Sequence, residues 1–117
     1  MRGSKWRYQY EISCVAEASA EIIGAPDLHV RAGSSLSLVC RILRSTEPPA
    51  YVFWYHDQKM INHDAGVSVT INRATSLLQL QEADTTHSGN YTCDPANAIP
   101  AYINVHVLNA TEVNTNV

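Results

Sequence analysis

The stretch SLLQLQEADTTHSGNYTC, residues 76 to 93, constrains the fold more than any other part of the chain. Leu78, Leu80, Ala83, Gly89, Tyr91 and Cys93 follow one another at spacings of 2, 3, 6, 2 and 2. A spacing of two keeps side chains on one face of a strand. Leu78 and Leu80 are therefore expected inward on one strand, with Ala83 folding into the bend after it. Gly89 permits a turn geometry closed to bulkier residues. Tyr91, two residues before a cysteine, suits a corner in which the ring fills the core edge and the hydroxyl bonds upstream backbone. Cys40 and Trp54 complete the pattern, 14 residues apart and with Cys93 a further 39 along. In a two-layer antiparallel sandwich an early strand faces a late one across the core; a disulfide joins the layers and an indole packs against it. The chain has three cysteines, which cannot all pair within it. Cys40 and Cys93 sit in strand-like apolar runs, whereas Cys14 lies in an anomalous leader and is taken as the odd one out.

The rest of the chain reads the same way. Turn signals recur every 8–12 residues or so, with short alternating runs between them, which is an all-β signature. EIIGAPDLHVR (21–31) reads as an extended edge segment broken by Gly24 and Pro26. In SLSLVCRI, Leu36, Leu38 and Cys40 share one face. In YVFWYH, Val52 and Trp54 share one face, and Tyr51, Phe53 and Tyr55 the other. A short strand is expected near Met60–Ile61, then VSVTI, SLLQLQ, NYTCDPA and AYINVHVL. About seven strands over 21–108 result. Residues 1–20 read as a leader or linker remnant, 21–109 as one domain and 110–117 as a polar tail. MRGSKWRYQYEISC has a basic start without the apolar run of a secretory signal. Since the rest of the chain has the character of a secreted domain, the sequence reads as a fragment or as a chain with a misjudged start, and MRGS also fits an expression scar.

Composition excludes several classes. Apolar residues make up 45% of the 117, enough for one ordinary core. Charged residues are 16% and the net charge is −3, which argues against nucleic acid as a partner. No apolar run approaches the roughly 18–20 residues needed to cross a bilayer as a helix. The histidines are scattered and no CxxC occurs, so no metal site, cofactor or small-molecule substrate is expected.

Cys40, Trp54, Cys93 and the LxLxxAxxxxxGxYxC run together resemble the immunoglobulin superfamily over roughly residues 21–108. The little room between the Trp54 strand and VSVTI implies a C2- or I-type domain. One departure stands out. Such domains usually carry Asp two residues before the corner glycine, often paired with an arginine at the foot of the sandwich; here the position is His87, and Asp84 or Arg73 is left to rearrange around it. More closely, AEIIGAPDLHVRAGSSLSLVCRI, RSTEPPAYVFWYH, HSGNYTCDPANA and VHVLN are similar to the second immunoglobulin domain of the defective-proboscis-extension-response (Dpr) and zwei-Ig cell-surface proteins. That resemblance implies a neuronal surface protein with two extracellular immunoglobulin domains and a membrane attachment. It implies a partner interface, with other immunoglobulin-superfamily proteins such as the Dpr-interacting proteins, on a first domain missing here. The connection from VSVTI to SLLQLQ looks shorter than usual, leaving the local register open.

Three features invite a functional reading. Asn90-Tyr91-Thr92 and Asn109-Ala110-Thr111 are glycosylation sequons, and Asn90 alternates with inward Tyr91, so it is expected to face solvent. Tyr51, Phe53 and Tyr55, with Tyr102 on a neighbouring strand, form an aromatic face suited to protein contact or to covering by side chains, loops or a glycan. Asp84, His87 and Ser88 lie close in sequence, but catalysis would also need a pocket and an oxyanion hole, so a polar turn is expected instead. The function expected is a non-enzymatic recognition and adhesion module, with a secreted single-domain binder or decoy as the alternative.

Overall fold

A computed structural model of the chain describes residues 17–109. Cys14, the rest of the leader and the expected tail lie outside the described residues. Among the described residues nine strands form two layers. One layer has the order β1-β3-β7-β6, from Ser19–Ile22, Leu36–Leu43, Thr75–Leu80 and Val67–Asn72. The other has the order β2-β9-β8-β4-β5, from Asp27–Arg31, Ala101–Leu108, Gly89–Pro95, Val52–His56 and Lys59–Met60. This is an all-β immunoglobulin-like sandwich.

The alternation seen in the sequence becomes the division between core and surface. Along β3, Leu36, Leu38, Cys40 and Ile42 are buried while the residues between them are exposed or half-buried. Val52 and Trp54 on β4, Leu78 and Leu80 on β7, Tyr91 and Cys93 on β8, and Ile103, Val105 and Val107 on β9 close the same core. Cys40 and Cys93 form the inter-sheet disulfide, with Cα atoms 6.4 Å apart. A second link runs beside it. In one layer Cys40 pairs with Ser76, and in the other Cys93 pairs with Trp54. The Trp54 indole Nε1–H donates to Ser76 Oγ across the core at 3.0 Å. A covalent bond and a buried hydrogen bond thus join adjacent positions of both sheets.

The structure corrects the expected strand count and one orientation. EIIGAPDLHVR is not one edge segment but two. The chain leaves β1 through Gly24, whose φ of +96° favours glycine, and a cis Ala25–Pro26 peptide, then enters the opposite layer as β2. Each half lies at the edge of its sheet. Because the chain crosses without reversing, β2 pairs with β9 in parallel, whereas the other strand pairs among the described residues are antiparallel; a single parallel bridge also joins Ser19 to Ile99. β1 also begins at Ser19, inside the stretch expected to precede the domain. Ala20 N–H donates to Ile99 O at 2.7 Å, and Ala18 and Ala20 pack against the core.

Two tight hairpins shape the sheet edges. Asp57 and Gln58, with φ of 51° and 74°, turn β4 into β5. Positive φ at both central residues is the demand of a type I′ hairpin loop. The short connection from β6 to β7 is also a two-residue turn, at Arg73–Ala74. Asn72 pairs with Thr75 there and Val67 with Leu80 at the far end, which settles the register.

Candidate functional site

The polar corner Asp84–Ser88 is built around a capped 3-10 turn, Thr85–His87. Asp84 accepts from the Thr86 hydroxyl and, at 2.8 Å, from the Thr86 amide. Those donors, hydroxyl first, hold its carboxyl below the ordinary range. In return His87 Nδ1 accepts from the Asp84 amide at 2.9 Å. His87 therefore acts as the reciprocal member of a capping box, the place Glu or Gln usually fills. Arg73 lies at the opposite end of the β6–β7 hairpin and takes no part. The Ser88 hydroxyl turns toward β9, where it accepts from the Val107 amide at 2.8 Å. Asp84 and His87 are thus tied to each other within the cap, with His87 Nδ1 3.5 Å from Asp84 Oδ1, while the Ser88 hydroxyl turns away from both to β9.

Gly89 and Tyr91 lock the corner to the sheet. The Tyr91 hydroxyl donates to His87 O at 2.6 Å, and its ring stacks on His56 with centroids 4.5 Å apart. Burial, then the Asp57 and Asp84 charges, push the phenol well above its ordinary value. Gly89 has a φ of +140°, and a Cβ there would stand 2.6 Å from Asp57 Oδ2 and 2.8 Å from His56 Nε2. The positive φ demands glycine, and a Cβ would in addition have to displace the side-chain ends of Asp57 and His56.

Residues that the sequence reading passed over carry part of this framework. Asp57 clamps β8 from the β4–β5 turn: its Oδ1 accepts from the Asn90 amide at 2.9 Å and its own amide donates to Asn90 O at 2.8 Å. Asn62 extends the sheet edge with its side chain, accepting from Trp54 N at 2.6 Å and donating to Val52 O at 2.9 Å. A lone Asn or Ser in a loop or strand has no sequence signature of such a role.

The outward face of the five-stranded sheet is the broad surface the fold presents. Strand registers sort it into rows. One row runs Met60, Tyr55, Thr92, Tyr102; the next runs Asn90, Asn104, Asp27; beyond it lie His106 and His29. Phe53 pairs with Asp94 on the other side of the tyrosine row, and Tyr51 lies further out. Aromatic residues therefore gather at one end. Tyr51 stacks on Phe53 at 4.4 Å; Tyr51 is 46% exposed and Tyr102 61%, while Phe53 and Tyr55 are half-buried. At the polar end His29 stacks on His106 at 4.6 Å, and His106 Nε2 lies 3.0 Å from Asp27 Oδ1. Of the two sequons, the Asn90 one lies wholly within β8; Asn109 closes the described residues, and Thr111 lies outside them.

No group of three or more metal-ligating side chains gathers among the described residues. One surface groove, lined by Ser35, Val67, Gln79 and Gln81 among others, is open to solvent and is faced by no nucleophile–base pair.

This geometry defines an immunoglobulin-type domain, and the comparisons agree. The immunoglobulin domain profile matches residues 21–97, so the chain belongs to the immunoglobulin domain family. It is 32% identical over 66 residues to the chicken (Gallus gallus) cell adhesion molecule DSCAML1, covering 56% of this chain and 3% of that protein. It is 36% identical over 56 residues to mouse (Mus musculus) IgLON family member 5, covering 46% of this chain and 17% of that one. The chain thus spans a small part of the curated relatives it matches. Among solved structures, it superposes on a chain of the complex of Dpr2 Ig1-Ig2 with DIP-Theta Ig1-Ig3 with a TM-score of 0.70 and 27% identity. That match covers 81% of this chain and 51% of that one. Titin domain M7, at 20% identity and a TM-score of 0.64, shares the fold alone.

Proposed function

We propose that this chain is the membrane-proximal immunoglobulin domain of a neuronal cell-surface receptor of the Dpr and zwei-Ig kind. It is a non-enzymatic recognition and adhesion module, extracellular and membrane-attached in its full-length form. Its partners are other immunoglobulin-superfamily surface proteins, bound mainly through a preceding first domain, and the outcome is choice of synaptic partner. The observation that carries this reading is the coverage of the Dpr2–DIP-Theta match: one domain of a two-domain chain is about half of it, and 51% is covered. The similarity to a cell adhesion molecule supports the same class. A disulfide-joined core suits an oxidising compartment.

Where this domain itself touches a partner, the Tyr51, Phe53 and Tyr55 ladder is the surface it offers, because Tyr and Phe bring large contact area at low entropic cost. Reading the transcript to both sides of the sequence tests the main proposal. A secretion signal and a further Cys…Trp…Cys domain ahead of Met1, and an anchor after Val117, are expected; an authentic translation start at Met1 would overturn it. For the contact surface, Tyr51→Ala in the full ectodomain is expected to weaken association several-fold, and unchanged association removes the contact role.

A further inference from the structure

Asn90 and Thr92 project outward from β8 on either side of buried Tyr91. The Thr92 hydroxyl donates to Asn90 Oδ1 at 3.3 Å, and Asn90 Nδ2 donates to Asn104 Oδ1 at 3.3 Å. A side-chain amide has two N–H groups. An N-linked sugar replaces one hydrogen and leaves the other: the Thr92 bond to Oδ1 is untouched, and the Asn104 bond is kept when the sugar takes the hydrogen that points away from Asn104. The backbone of Asn90 is already fixed by Asp57 on its amide and carbonyl. The folded strand therefore presents the Asn90 side chain from a fixed backbone.

We propose that Asn90 carries an N-linked glycan that roofs the centre of the outward face and leaves the Tyr51 end open. In the modification, Asn90 Nδ2 attacks the anomeric carbon of an oligosaccharide carried on a lipid pyrophosphate. The N–C bond forms, the C–O bond to phosphate breaks, the lipid pyrophosphate leaves with the electron pair, and one amide proton is lost to base.

Placement follows from the register. β8 is the middle strand of five. Tyr102 pairs with Thr92, which makes it a diagonal neighbour of Asn90 across β8 and β9, at roughly 7–8 Å. Tyr51 lies opposite Ala96, whose amide donates to Tyr51 O at 3.0 Å. Six residues of strand separate that position from Asn90, about 20 Å. The glycan thus stands over Tyr102 and far from Tyr51. Tyr55 flanks Thr92 from β4 as Tyr102 does from β9, so with the glycan in place the contact surface narrows from the Tyr51, Phe53 and Tyr55 ladder to the end where Tyr51 stacks on Phe53.

The inference rests on the surface-protein reading, but its test does not depend on the native start. The full chain carrying Asn109→Gln is secreted from insect cells behind a supplied leader and digested with a peptide N-glycosidase. The peptide holding Asn90 is then mapped by mass. Release of a glycan with conversion of Asn90 to Asp is expected, and its loss in Asn109→Gln/Asn90→Gln; Thr92→Ala serves should the latter fail to secrete. Nitration then compares glycosylated and sequon-less proteins. Tyr102 is expected to react several-fold less when the glycan is present, and Tyr51 equally in both. An unmodified Asn90 in the secreted protein overturns the site. Equal reactivity of Tyr102 in both proteins, or protection of Tyr51, overturns the placement. Either failure leaves the receptor reading standing, since that reading is decided by the transcript.

Discussion

Replacing Ser76 with Ala isolates the hydrogen bond that crosses the core. Ser76 and Trp54 are both fully buried, and the indole Nε1–H donates to Ser76 Oγ at 3.0 Å. Ser76→Ala removes a single oxygen, so the volume change is small, but it leaves a buried donor without an acceptor. That costs about 1–3 kcal/mol. With a urea slope of about 1–3 kcal/mol/M for a small domain, the unfolding midpoint should fall by on the order of 1 M, with the slope unchanged. Urea titration followed by far-ultraviolet circular dichroism, a probe that does not depend on Trp54, reads this in every variant. A double-mutant cycle sharpens it. Trp54→Phe removes the donor and leaves a cavity, so it is costly alone; adding Ser76→Ala to it should then cost less than adding it to the wild type. The coupling expected for a bonded pair is about 0.5–3 kcal/mol. An unchanged midpoint for Ser76→Ala, or strict additivity in the cycle, would refute the argument, because either result means that the indole loses nothing when the serine oxygen goes.

Other consequences are open to measurement. Replacing Cys40 and Cys93 together with Ala opens a loop of 53 residues and should cost about 4 kcal/mol, seen as a lowered denaturation midpoint. Tyr91→Phe deletes the bond to His87 O and should cost about 1 kcal/mol in the same assay. Since the folded phenol ionises well above the ordinary value of 10.0, the unfolded chain releases its proton first. The contribution of Tyr91 to stability is therefore full below pH 10.0 and is lost as pH rises from there, and wild type should lose more stability than Tyr91→Phe across that alkaline range. Gly89→Ala forces a Cβ toward Asp57 and His56 at positive φ and should cost at least about 1–3 kcal/mol; thermal unfolding at the wild-type midpoint would contradict the close-approach argument.

The candidate surface was partly legible in the sequence. Alternation alone sends Tyr51, Phe53 and Tyr55 outward and places Asn90 opposite to Tyr91, because a strand has a period of two. It does not give the rows across strands. That Tyr102 stands beside Thr92, and that Asn104 accepts from Asn90, depends on the offset between β8 and β9. His87 shows the other limit. As a departure from a family pattern it looked like a lost ion pair. The structure gives it a replacement role, because a ring nitrogen three residues from the cap can accept the same amide that a carboxylate would.

What the sequence determined by itself was the sandwich and its core. Leu36, Leu38 and Cys40, Val52 and Trp54, and Leu78 and Leu80 repeat at a spacing that buries only one face of each strand. The glycine, tyrosine and cysteine at 89, 91 and 93 mark where the corner must fall. How separated segments meet was settled by packing: the crossing of the chain at Gly24–Pro26 into a parallel pairing with β9, the clamp of Asp57 on β8, and the Trp54–Ser76 bond beside the disulfide. Those contacts join residues far apart in the chain, and their geometry is set by the register and twist of whole sheets. No local spacing encodes that, so it emerges only when both layers are packed.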